Sequence, residues 1–228
     1  MNFDEVMTQL ESSGSEQTRK TYRRHGVSGD MFGVSYATFG VLKKKIKVDH
    51  ELAMKLWATN NHDAQVLATM IADPKLMSAT LLDEWVKSLS SYAITDAFAR
   101  GAVQAPSAQK KSEKWMNSKN EWIACAGWSM LAQATANAEL TDSYFEPYLE
   151  IIERDIHSRL NRVRYVMNSA LIAIGARSDN LQKKALAVAK KIGKVEVDHG
   201  DTSCKTPDAT DYILKTSAHR EKKRTAKA

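Results

Sequence analysis

Cysteine is nearly missing from this 228-residue chain, which has two, Cys125 in an apolar helical setting and Cys204 in a polar stretch. Two such thiols make no disulfide framework and suit a reducing cytoplasm. Proline and glycine are also sparse, at 4 and 10 residues, and strict apolar/polar alternation is rare, so little in the chain breaks helices or reads as strand. A mainly β architecture is thereby excluded. No uninterrupted apolar run reaches the ~18 residues that suggest a membrane span, and none follows Met1. The expectation is a soluble cytoplasmic protein that makes no use of a membrane.

Acidic residues fall short of basic ones, with 27 Asp and Glu against 33 Lys and Arg, for a formal charge of +6. That balance permits association with nucleic acid or an anionic surface. Its placement is uneven, because residues 215–228 hold six basic side chains and one acidic one, leaving +1 for the rest. No linker divides the chain, so one domain over residues 1–214 is expected. A basic flexible tail, 215–228, follows it and either solubilises the chain or holds phosphates through screened contacts.

What is plentiful is helix-forming sequence, rich in Ala, Leu, Met, Lys and Glu. Helical periodicity predicts helices over 3–11, 16–24, 36–47, 50–59, 63–72, 78–89, 92–102, 107–116, 121–134, 142–153, 159–176, 181–191 and 207–217. Polar breaks recur near Asp49, Asn61, Asp73, Ser90, Asn117 and Ala138. Short helices in such a rhythm stack their apolar faces, so the expected fold class is all-α, a curved alpha-alpha superhelix. A compact helical bundle is the alternative. Trp57, Trp85 and Trp122 lie among aliphatic residues at helical spacing and are expected in the core.

The most informative segment is Ser90-Ser91-Tyr92-Ala93-Ile94-Thr95-Asp96-Ala97-Phe98. Four residues apart on a helix, Tyr92 and Asp96 share a face beside an apolar stripe. An aromatic ring can pack on a base or sugar, while a neighbouring carboxylate can stabilise a developing cation or orient water. A surface pair or an interhelical hydrogen bond is the plainer reading.

Basic clusters occur at Tyr22-Arg23-Arg24-His25, at Lys43-Lys44-Lys45-Ile46-Lys47 and at Arg162-Val163-Arg164. Each is a candidate for phosphate contact, or a solvated helix surface. Arg162 and Arg164, two residues apart, cannot both face one direction on a regular helix. Between Val197 and Asp208, one His and one Cys give no zinc pattern, so no metal is expected. Thr206-Pro207-Asp208 reads as a helix start with Thr206 as the cap and Pro207 in the first turn.

The order of these words resembles the bacterial DNA alkylation repair family related to AlkD, built from HEAT-like repeats. The resemblance runs over roughly residues 15 to 192 and includes Phe32-Gly33-Val34-Ser35, Asp49 through Trp57, and Ile71-Ala72-Asp73-Pro74, then Tyr92, Asp96 and Arg162-Val163-Arg164. It implies a HEAT-like superhelix whose partner is duplex DNA, alkylated in the case of a glycosylase, in a protein associated with the nucleoid. It implies no cofactor. By the same resemblance, Asp96 holds the catalytic carboxylate position, supporting positive charge on the deoxyribose and placing water for attack at C1′, with no need to flip the base into a deep pocket.

Around Asp96 the resemblance places the lesion contacts at Tyr92, Tyr22, Cys125 and Asn168, with Arg23, Arg24, Lys43, Lys44, Arg162 and Arg164 toward DNA. Tyr92 stands where a Trp is usual, Cys125 where the family has its catalytic Arg, and Asn168 where another Trp is expected. Loss of that guanidinium removes a permanent cation and its fork of donors. Two functions remain in view: a divergent N-glycosylase acting on cationic alkylpurines, or a noncatalytic scaffold binding DNA or protein.

Overall fold

Asn2, Ser15, Ser35, Asp49, Asn61 and Ser78 each stand immediately before a helix, with a side-chain oxygen accepting an early backbone N–H. These caps satisfy donors that a helix start leaves without partners, so short polar breaks suffice to begin one helix after another. The computed structural model describes residues 1–225, with side chains through Arg220. In order the helices are α1 (Phe3–Ser12), α2 (Glu16–Arg24), α3 (Tyr36–Ile46), α4 (His50–Ala58), α5 (His62–Ile71), α6 (Ala79–Lys87) and α7 (Tyr92–Ala102). They continue as α8 (Ala108–Trp115), α9 (Glu121–Ala134), α10 (Asp142–Asp155), α11 (Asn161–Arg177), α12 (Asp179–Ile192) and α13 (Ala209–Thr225). No strand occurs among the described residues. The fold is all-α, a HEAT-like stacking of helices, as expected.

The helices gather in two compact units, the first Met1–Lys114 with Gly200–Thr202, the second Trp115–His199 with the residues from Ser203. Each gathers around one central helix. In the first this is α5, buried continuously from His62 to Thr69 and packed against α3, α4 and α7. Its close crossing with α7 needs Gly101, where a Cβ would stand 2.7 Å from the Thr69 carbonyl oxygen. Beside it, Trp57 and Trp85 stack with centroids 4.0 Å apart and planes 1° from parallel. Such a pair adds roughly 0.5–1.5 kcal/mol beyond burial.

In the second unit α11 is central, in contact with α9, α10, α12 and α13. Trp128, Phe145, Met167, Leu171 and Ile174 are among its fully enclosed side chains. Here Trp122 departs from expectation: it is half-buried, and Trp128, two turns further along α9, fills the interior. The last helix also begins later than expected. Asp208 is its cap, taking the Asp211 amide at 2.9 Å, while Thr206 instead meets His199 Nε2 and the Pro207 carbonyl accepts from Asn168.

That helix continues past 217 to Thr225. Within the expected tail, Ser217 is buried, and Arg220 donates to the Ala176 carbonyl and pairs with Asp179. The side chains of 221–228 lie outside the described residues.

Candidate functional site

Helix α7 turns Ile94, Thr95, Phe98, Ala99 and Ala102 inward. The opposite stripe, Tyr92, Asp96 and Arg100, is thereby left at successive turns along one wall of a cavity of about 690 Å³ within the first unit. From α2 come Thr21 and Tyr22, with His25 just past its end, and from α3 come Tyr36 and Lys43, while the end of α5 supplies Thr69 and Met70. Asp96, Arg100 and Lys43 are exposed, which puts them at the mouth. Tyr92 is half-buried.

Each aromatic ring is held by a specific neighbour. The Tyr22 hydroxyl donates to the Val34 carbonyl at 2.5 Å, and its ring meets His62 edge-on at 5.2 Å. The Tyr92 hydroxyl shares a hydrogen bond with His25 Nδ1, their rings lying edge to face at 5.7 Å. Tyr36 packs edge-on against Phe39 at 5.6 Å and keeps 48% of its surface exposed. Burial raises the Tyr36 phenol above its ordinary value, and the nearby Asp96 charge adds to this while Arg100 opposes it. The Tyr22 phenol is raised in the same way, first by burial and then by Asp63.

The expected site residues divide between the units. Tyr22, Lys43, Tyr92 and Asp96 come together around the cavity. Arg23 and Arg24 occupy a different face of α2, lining a separate hollow with Gln17 and Lys20. No carboxylate lies within ion-pair distance of Lys20, Arg23 or Arg24 among the described residues. Lys44 is exposed in the last turn of α3 beside Lys43 and Lys45, where cations offset the negative end of the helix dipole.

Cys125, Asn168, Arg162 and Arg164 belong to the second unit. Arg162 lays its guanidinium over the Tyr165 ring at 4.4 Å, and Arg164 reaches Asn161 Oδ1 at 3.4 Å, so the two take different neighbours. The Arg162 backbone N–H is capped by Glu121 at 2.7 Å. Cys125 and Asn168, expected as lesion contacts, are both closed inside the unit, at 1% and 0% exposure. Cys125 packs in the apolar core, and Asn168 spends its amide on the Pro207 carbonyl at 2.9 Å.

Sequence reasoning missed Tyr36 and Arg100. Arg100 was legible as the next turn of the Tyr92 and Asp96 stripe. Tyr36 follows Phe32-Gly33-Val34-Ser35 directly, but only the turn at Gly33, with φ of +81°, shows that this stretch brings α3 to the cavity. Among the described residues no His, Cys, Asp and Glu cluster could hold a metal ion, and no helix is long and apolar enough to cross a membrane.

The stacking of helices places the chain among the helical repeat proteins. The chain is a member of the DNA alkylation repair family: the family model described as DNA alkylation repair enzyme matches residues 6–213. The uncharacterised protein Lin0241 of Listeria innocua is 32% identical over 94% of this chain and 97% of its own. Lmo0209 of Listeria monocytogenes, also uncharacterised, is 30% identical over the same shares. A solved structure with a TM-score of 0.88 and 32% identity covers 96% of this chain and 95% of its own. It is described as representing a new family of proteins related to the HEAT-like repeat DNA glycosylases with affinity for branched DNA structures.

Proposed function

We propose that this protein binds DNA, with a preference for branched over uninterrupted duplex, and that the cavity of the first unit is where it meets the strand. The observation that carries this reading is the union, in one cavity, of exposed cations with aromatic side chains. Cations hold phosphate without regard to sequence, and rings take bases that have left the stack. The affinity for branched DNA described for a relative of 32% identity supports the choice of partner. Arg23, Arg24 and Lys44 extend the phosphate contacts beyond the cavity, while Arg162 and Arg164 are a separate candidate for phosphate contact within the second unit.

A second reading, hydrolysis of the N-glycosidic bond of cationic alkylpurines, is favoured by one observation: the Asp96 carboxylate is exposed and faces the cavity. Placed beside C1′, it stabilises positive charge on the deoxyribose and orients the attacking water, with Tyr92 against the lesion. Cys125 supplies no cation to this chemistry, since a thiol carries no positive charge and this one is enclosed in an apolar core.

Binding of the purified full chain to a four-way junction, a three-way junction, and intact and methylated duplexes tests the first reading. The expected order is junctions ahead of duplex, with affinity falling as salt rises. No binding to any form at low salt would reject it and leave a protein-interaction role. Release of methylated purines tests the second. Asp96→Asn keeps the shape and removes the charge, so any release is expected to drop by roughly 100-fold or more; equal release by both proteins takes Asp96 out of the chemistry.

A further inference from the structure

We propose that the first unit's cavity admits a single unstacked nucleotide of branched DNA, the base lying against Tyr36 and Tyr92 and the adjoining phosphate meeting Lys43 and Arg100. This rests on the DNA-binding reading above and specifies what part of the DNA the cavity holds.

Size is the first argument. At about 690 Å³ the space lies inside the roughly 300–1,000 Å³ range of small-molecule pockets, which suits one nucleotide and not a base-paired duplex. The second is the lining. Tyrosine faces engage the face of a base, and in a duplex those faces are covered by neighbouring pairs. Only a base out of the stack can use Tyr36, which is 48% exposed. Its ring is braced at the edge by Phe39, as Tyr92 is by His25, so little side-chain freedom is lost on stacking.

Charge sets the orientation. Asp96 repels a phosphate, so the backbone must enter beside Lys43 and Arg100, one turn further along α7. The carboxylate is then turned to the sugar and to N–H donors on the base edge. Branch selectivity follows, because extruding a base from intact duplex costs a few kcal/mol, whereas an unpaired nucleotide at a branch has already left the stack. A site of this kind prefers junctions without reading sequence.

The test uses the full chain and a three-way junction with one unpaired 2-aminopurine at the branch, compared with the same junction in which that base is paired. Tighter binding to the unpaired junction, on the order of tenfold, is expected, together with a change in 2-aminopurine emission on binding. Tyr36→Ala is expected to erase the preference and the emission change while the paired junction is still bound, and Tyr36→Phe, which keeps the ring, to retain both. Lys43→Glu is expected to weaken both junctions.

Equal affinity of the parent for the two junctions, with unchanged emission, overturns the cavity assignment and leaves the DNA-binding reading standing. Failure to bind either junction overturns that reading itself. If Tyr36→Ala does not fold, the parent's affinity ratio and emission decide. Full competition by deoxynucleoside monophosphate with no junction preference would mark a free-nucleotide site and overturn the proposal.

Discussion

The carboxylate of Asp63 holds the turn at Gly33. Fully buried at the start of α5, it accepts the Gly33 amide at 2.9 Å and, with both oxygens, the amides of Phe32 at 2.6 Å and Val34 at 2.8 Å. The Val34 carbonyl receives the Tyr22 hydroxyl in turn, and Ser35 caps α3, so this one side chain fixes the approach of two aromatic residues to the cavity. Asp63→Ala leaves two buried N–H groups and one partly buried one without partners, each worth about 1–3 kcal/mol. The expected loss is on the order of 3–5 kcal/mol, measured by urea denaturation. A change below about 1 kcal/mol would show that the loop is held by other means.

Next to it, His62 makes the first unit sensitive to acid. Burial lowers its pKa below the ordinary histidine value, although the Asp63 charge pulls the other way, and its Nε2 is buried without a hydrogen-bond partner. His199 is lowered as well, by burial and then by Arg162, with Asp198 opposing. A depressed histidine binds its proton more readily in the unfolded chain, so unfolding gains on folding as pH falls below about 6.5. Stability is therefore expected to be level above that pH and to decline below it until the folded-state pKa values are passed. His62→Phe removes one titrating group and keeps a ring against Tyr22; it should flatten part of the decline, and an unchanged slope would assign the effect elsewhere.

Lys47 ends α3 at φ of 66° and ψ of −125°, a conformation suited to glycine. Strain of this kind costs about 1–3 kcal/mol. Lys47→Gly is expected to raise stability by about 1 kcal/mol, read from the denaturation midpoint. A loss instead would mean that the lysine side chain contributes more than its backbone costs.

The helices were legible because caps and apolar spacing are local. Asp49 and Asn61 mark their starts by residue type alone, and Tyr92 with Asp96 needs only the helical repeat. Division into two units was not legible, since it depends on which helices gather around α5 and which around α11, over distances periodicity does not encode. Cys125 and Asn168 illustrate the same limit. Family order assigned them a site, while side-chain packing turns both into the interior.

The cations on α2 make a prediction in salt. Lys20, Arg23 and Arg24 share an exposed surface on α2. Each phosphate contact contributes close to 0.9 to the slope of log affinity against log salt on duplex DNA. The double variant Arg23→Ala, Arg24→Ala is expected to reduce the slope by about two such contacts, uniformly across DNA sequences. An unchanged slope would place the phosphates on other residues, Lys43 and Lys44 first among them.

Cys125 poses the sharpest question about chemistry, because the family resemblance puts an arginine at its position. Restoring one would be a simple route to catalysis if that position opened onto a ligand. Its surroundings argue otherwise. With 1% exposure it sits among Trp128, Phe145 and Met167 in an apolar cluster, where a guanidinium needs both volume and partners for its N–H groups. Removal of a permanent cation from water without a paired carboxylate costs several kcal/mol even after relaxation. Cys125→Arg is therefore expected to destabilise the second unit by several kcal/mol and to gain no release of alkylated bases, as read by denaturation and by base release from methylated duplex. A folded variant of parental stability that releases methylpurines would show that the side chain can reach a ligand, and that loss of the cation is what separates this protein from an active glycosylase.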